Sequence, residues 1–268
     1  MIDCKKISEE IKQELKQKLN NTSNKPKLAI IQVGDNEASN RYVKGKLADC
    51  EEVGIKTCLY KLPEQYNDDY IIQLIEALNK TSDIHGIIVQ LPLPKHLDEQ
   101  KIVQSIVPHK DVDGFTPNSP FTPCTPLGVL MLLHNMGFDD FKGRIITLVG
   151  FGKLVNKPLF QILSDMGATV CVCRSSTDKF TLSSLCSMSD IIISAVGKHG
   201  LLTAAYFNPG SIVIDCGIEV IDGKQYGDCS EAVYDLVELV TPRIGGVGLM
   251  TRAALMQNVV KAYLGVEQ

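Results

Sequence analysis

The sequence predicts two α/β domains, each built on a parallel sheet, with a cleft between them. Three observations carry this: a β-α-β-α-β alternation before residue 92, a proline- and glycine-rich break between Pro92 and Pro126, and a second alternation after it. Short apolar strands alternating with helices are the signature of a parallel sheet covered on both faces. The 268 residues are enough for two cores, and 44% hydrophobic with 22% charged residues is ordinary globular composition. Disorder and low complexity are excluded as global descriptions.

Taken in order, Ile7, Ile11, Leu15 and Leu19 recur every four residues and predict an amphipathic first helix. Lys27 to Val33 reads as a buried strand ending at Gly34. A helix follows over 39–53, with Gly54 as its stop signal. A strand over 55–62, a helix over 68–79 and a strand over 84–91 complete the first run. After the break, 125–136 reads as a helix and 144–149 as a strand, and Gly150-Phe151-Gly152 opens another helix. Segments 168–173, 190–195 and 211–215 are further strands at βαβ spacing. Asp222-Gly223, inside 217–230, predicts a hairpin. A last helix over 251–264 is placed to return to the first domain. The resulting boundaries are 1–124, with a C-terminal helix within 251–268 packing back on it, and 125–250.

Charge and cysteine usage narrow the classes of partner. Lys and Arg number 27 against 31 Asp and Glu, a net charge of −4 that gives no electrostatic case for nucleic acid. No apolar run approaches the roughly 18–20 residues of a membrane span, and the first residues lack the apolar stretch of a secretory signal. The nine cysteines are scattered, and Cys171 and Cys173 are too close for zinc-finger spacing. They read as thiols in a reducing cytoplasm.

A strand, then Gly150-x-Gly152, then a helix is the geometry that sets a pyrophosphate on a helix N-terminus. The plain alternative is a structural strand-to-helix turn, since Val155 stands where a third glycine would complete the fingerprint. With the strands that follow, the turn predicts a Rossmann-type nucleotide domain. The next strand ends in Cys173-Arg174-Ser175-Ser176-Thr177, with no acid to hold a free ribose. An arginine with hydroxyls fits a ribose 2′-phosphate, so NADP is expected over NAD.

In the first domain Ser39, Tyr42 and Lys46 share one face of the second helix. Either Lys46 snorkels past the sheet edge, or it is a desolvated proton donor or base beside an aromatic platform. Gln90 interrupts an apolar run at a strand's C-terminal end, where ligands sit in open parallel sheets. The Lys46 ammonium is a candidate partner for it. Asp113, in the proline-rich loop, is either a turn-forming residue or a carboxylate for a heterocycle's N–H groups.

Together these stretches resemble the bifunctional methylenetetrahydrofolate dehydrogenase/methenyltetrahydrofolate cyclohydrolase family. The resemblance runs through Ser39-x-x-Tyr42-x-x-x-Lys46, the segment from Gly86 to Pro94, Asp111-Val-Asp-Gly-Phe115 and Pro123-Cys-Thr-Pro126. It continues through Lys157-Pro158, Val213-Ile-Asp215 with Gly217-Ile218, and Gly245-Gly-Val-Gly248. It implies an N-terminal folate and catalytic domain, a Rossmann-type NAD(P) domain, tetrahydrofolate one-carbon derivatives as substrates, no metal, and a cytoplasmic homodimer. It also implies that Lys46 is catalytic, Gln90 tunes it, Tyr42 stacks on the folate and Asp113 binds the pterin. The candidate substrate set is then Ser39, Tyr42, Gln90, Leu91, Pro92, Asp113 and Gly246. The candidate cofactor set is Gly150, Phe151, Gly152, Arg174, Ser175 and Ile218.

The departures lie in the cofactor half. Gly150-Phe151-Gly152 replaces the family's usual Gly-Arg-Ser, Asn156 a usual glycine, Arg174 a usual histidine and Ser230 a common aspartate. Arg243, Ile244 and Leu249 stand in place of the usual residues around the late glycine loop. Two rivals remain at this level: a shikimate-dehydrogenase-type oxidoreductase, and a folate- or nucleotide-binding protein without turnover.

Overall fold

Parallel strands need long crossover connections, and the helices between the strands of this chain supply them. The computed structural model describes residues 1–265. The chain divides into two compact units, one of Glu9–Cys124 with Arg252 onward, the other of Met1–Ser8 with Thr125–Thr251.

The first unit takes most of α1 (Cys4–Asn20), then β1 (Lys27–Val33), α2 (Glu37–Val53), β2 (Lys56–Leu62), α3 (Asp68–Lys80), β3 (Gly86–Val89) and α4 (Glu99–Gln104). Its sheet has the order β2-β1-β3, all parallel. Central β1 is buried along nearly its whole length, as its apolar run from Leu28 to Ile31 requires. Ile31, Ile71, Ile75, Ile87 and Ile102 form the core beneath α3 and α4. α2 starts where the Asn36 side chain accepts the Ser39 N–H, and it stops at left-handed Gly54, φ 93°.

After Met1–Ser8, the other unit takes α5 (Cys124–Asn135) from Thr125 and runs through β4 (Ile145–Val149), α6 (Asn156–Asp165), β5 (Thr169–Cys173), α7 (Lys179–Met188), β6 (Ile191–Ser194) and β7 (Ile212–Asp215). It continues through β8 (Glu219–Ile221), β9 (Lys224–Tyr226), α8 (Glu231–Leu236), β10 (Leu239–Val240) and the start of α9 (Val247–Leu264). The sheet order is β10-β7-β6-β4-β5, again parallel. The expected hairpin is β8-β9, closed by Asp222 and Gly223 with φ 52° and 75°, the left-handed pair a two-residue turn needs.

Some boundaries differ from the sequence reading. Residues 1–8, expected in the first domain, belong to the other unit, because the Ile2 N–H donates to the Val240 carbonyl and the Met1 ammonium to the Glu238 carbonyl. α9 begins at Val247, not residue 251, since the turn that launches it lies at Gly245-Gly246. Of the helix expected within 251–268, Val266–Gln268 lie outside the described residues. β3 is confined to Gly86–Val89, ending before Gln90. Two-residue β10 is too short to show any alternation.

Candidate functional site

In the first unit, the polar candidates gather on α2 and on the loops after the strands. Helical side chains lean toward the helix N-terminus, so Lys46 reaches back over the turn that carries Tyr42. Its Nζ lies 5.1 Å from the Tyr42 ring centroid, and the residue is only 5% exposed. So little exposure speaks against a lysine extended past the sheet edge. Ser39 is buried one turn earlier.

A half-buried charge network around Asp49 ties α2 to α1 and α9. Asp49 receives Lys12 at 3.3 Å and Arg252 at 3.0 Å, and Lys12 also reaches Glu52 at 2.5 Å. Arg252 comes from α9, and its guanidinium fills the space that a Cβ on Gly45 would need.

Gln90 is buried just beyond β3. Its backbone N–H continues the ladder to the Ile31 carbonyl at 2.8 Å. Its side-chain Nε2 donates to the Leu91 carbonyl at 2.7 Å, while Oε1 finds no protein donor. The Lys46–Gln90 hydrogen bond expected from sequence is therefore not made, because the amide folds onto its own neighbour. The Leu91–Pro92 bond is cis. A buried carbonyl oxygen without a donor is costly unless something else supplies one.

The turn in the proline-rich loop is made by Asp111, not Asp113. The Asp111 carboxylate accepts the N–H groups of Gly114 (3.1 Å) and Thr116 (2.6 Å), and the Ser119 hydroxyl donates to its carbonyl at 3.1 Å. Burial pushes the Asp111 carboxyl up, against these donors. Asp113 instead faces the buried Cys124 thiol. That thiol is pushed far up first by burial, then by the Asp113 charge, and the Lys46 charge pulls it back. Lys46 and Asp113 thus bear on one sulfur.

In the other unit, β4 lies between β5 and β6, so chain connections leave it in opposite directions. This is a topological switch point, where open α/β sheets bind ligands. Gly150 follows β4 with φ 89°, and a Cβ there would sit 2.9 Å from the Ala195 carbonyl oxygen. Only glycine fits that place. Gly152 faces open space instead, with nothing within 4 Å of where its Cβ would be. A tight turn, an open backbone and the ten-residue helix α6 behind them fit a dinucleotide pyrophosphate. Arg174 and Ser175 are exposed just after β5, and Phe151 is half-buried beside Arg174. Ile218 is 62% exposed at the end of the β7 loop. Gly246 sits in the α9 turn, tight against the Pro242 carbonyl.

Sequence reasoning assigned no role to three buried polar residues here, Asn156, Asp215 and Asp228. The Asn156 Nδ2 donates to the carbonyls of Val149 (2.8 Å) and Gly150 (3.0 Å), pinning the glycine turn to its strand. The Asp215 carboxylate accepts from Gly217, Asp228 and Cys229, and Asp228 from Ser194, Val196 and Lys198. These two acids tie together the loops after β6 and β7. Burial, with the neighbouring Asp228 charge, raises Asp215, and the three backbone donors oppose the rise. An acid closing the apolar Val213-Ile214 run was the available signal.

Comparison with known proteins adds identity to this geometry. Residues 2–113 match the family described as tetrahydrofolate dehydrogenase/cyclohydrolase, catalytic domain, and residues 123–266 its NAD(P)-binding domain. The bifunctional protein FolD of Agathobacter rectalis is 42% identical over 98% of both chains. The crystal structure of the bifunctional methylenetetrahydrofolate dehydrogenase/cyclohydrolase of Campylobacter jejuni superposes with a TM-score of 0.92 at 41% identity, covering 98% of both chains. The Trypanosoma brucei enzyme, solved with NADP and an inhibitor, gives 0.88 at 27% identity, covering 98% of this chain and 95% of its own.

Proposed function

This chain belongs to the tetrahydrofolate dehydrogenase/cyclohydrolase family, and from that premise we propose the roles of its residues. It oxidises methylenetetrahydrofolate with a nicotinamide cofactor and hydrolyses the methenyl product to formyltetrahydrofolate, a step of one-carbon metabolism. The observation that carries the residue assignment is the buried Lys46 beside the Tyr42 ring.

Lys46 handles the protons of hydrolysis. Water adding to the methenyl carbon must lose a proton, and the ring nitrogen that departs must gain one. An amine held out of bulk water can accept the first and return the second. Tyr42 offers its face to the folate ring system. The unpartnered Gln90 Oε1 accepts a donor from the substrate or from Lys46 once the substrate is in place. Asp113, relieved of the turn by Asp111, takes the pterin N–H groups, with Ser39, Leu91 and Pro92 completing the contacts.

Gly150, Phe151, Gly152, Arg174, Ser175 and Ile218 would hold the dinucleotide, which supplies a hydride acceptor when bound. NADP is favoured over NAD because Arg174 and the following hydroxyls have no acid among them to hold a free ribose. The next acid in the sequence, Asp178, is committed to capping α7 through Thr181. A homodimer and a cytoplasmic location complete the proposal. The location is supported by the free state of every cysteine, all buried or half-buried.

The test is Lys46→Met, which keeps the stem and removes the ammonium. Hydrolysis of methenyltetrahydrofolate should fall by roughly 10²–10⁴-fold, the range of general acid–base catalysis. Near-wild-type hydrolysis by the folded variant would overturn the assignment.

A further inference from the structure

We propose that Phe151 and Arg174 form one selectivity device, in which the phenyl ring holds the guanidinium ready for a ribose 2′-phosphate. The inference rests on the NADP reading above and adds a role for Phe151, a positioning residue acting through Arg174.

The pairing is produced by strand register. β4 and β5 run parallel with Val149 opposite Cys173, and the Gly150 N–H donates to the Cys173 carbonyl at 2.8 Å. The next residue on each side is Phe151 and Arg174. The Arg174 guanidinium carbon then lies 5.8 Å from the Phe151 ring centroid, within cation–π range. The ring is itself braced by Phe160 of α6, edge to face at 5.9 Å and 82°.

The arginine's backbone is equally fixed. Its N–H donates to the Thr177 hydroxyl and its carbonyl accepts the Thr177 N–H, both at 2.9 Å. Among the described residues Arg174 makes no ion pair, so its charge is not spent on a carboxylate. An exposed arginine loses rotamer freedom when it grips an anion. A ring that confines the guanidinium beforehand reduces that loss. Phe151 carries no charge to a phosphate itself, yet it sets where Arg174 presents one. If the ring served only to pack on adenine, it would act equally on both cofactors.

The experiment is calorimetry on the full chain with two probes, 2′,5′-ADP and 5′-AMP, which differ in the 2′-phosphate. Arg174→Gln should weaken 2′,5′-ADP by about tenfold or more, the size of a lost charge-assisted hydrogen bond, and leave 5′-AMP unchanged. Phe151→Leu, which keeps bulk without a π face, should weaken 2′,5′-ADP by about two- to fivefold. Phe151→Tyr should retain wild-type binding. In an Arg174→Gln background, Phe151→Leu should have no further effect. Equal weakening of both probes by Phe151→Leu, or an undiminished effect without the arginine, would overturn the platform role. A wild type that binds the two probes equally would overturn the NADP reading beneath it as well.

Discussion

The guanidinium of Arg252 occupies the space that any side chain on Gly45 would need, and Asp49 holds it there from one turn further along α2. The glycine beside Lys46 is thus a docking notch for α9. Alanine is the better helix former by about 0.8–1 kcal/mol. Gly45→Ala should nevertheless lower stability, because the half-buried arginine must leave its carboxylate. In an Arg252→Ala background the same change should stabilise by about the propensity difference. Urea unfolding of the four proteins reads the sign reversal, and additive effects would refute the notch.

Asp111 and Asp113 should separate cleanly. Asp111→Ala removes two backbone donors' acceptor from a buried turn and should lower the unfolding midpoint. Asp113→Ala should leave the midpoint near wild type but weaken folate binding by on the order of 1.5–3 kcal/mol, with cofactor binding little changed. Unchanged folate affinity by calorimetry would return Asp113 to a structural role.

Gln90 should show a trade of activity against stability. Its Oε1 has no protein donor, so Gln90→Leu removes an unsatisfied buried acceptor. Turnover should drop while the melting temperature holds or rises. A variant that loses stability and keeps its turnover would show Gln90 to be a fold residue.

His85 carries a pH dependence whose sign follows from its surroundings. Burial, then the charges of Lys110 and Lys27, lower it from the ordinary 6.5, against Asp83. Its Nδ1 accepts the Lys27 backbone N–H at 3.1 Å, which fixes the neutral ring. A base whose folded pKa is depressed contributes stability above its unfolded pKa and loses it as pH falls through that value. The stability deficit of His85→Leu should therefore be larger near about pH 7.5 than near about pH 5.5. Taking the difference from wild type cancels the buried acids Asp111 and Asp215, whose raised values act in the opposite sense. A deficit that grows on acidification would refute the assignment.

Much of this protein was written locally. The largely apolar segments 27–33 and 145–149 form interior strands, Gly54 stops its helix, and Asp222-Gly223 turns its hairpin, because each depends on neighbours a few residues away. The chemical candidates Lys46, Tyr42, Gln90 and Asp113 were legible for the same reason: a polar residue inside an apolar pattern is conspicuous along one strand or helix. Only the tertiary structure decided which of two aspartates makes the turn and where the Gln90 amide bonds. It alone sent residues 1–8 to the other unit and seated Arg252 against Gly45. It also set Phe151 beside Arg174 through the register of two strands. Those outcomes turn on pairings between residues far apart in sequence, and periodicity along the chain carries no record of which distant segments will meet.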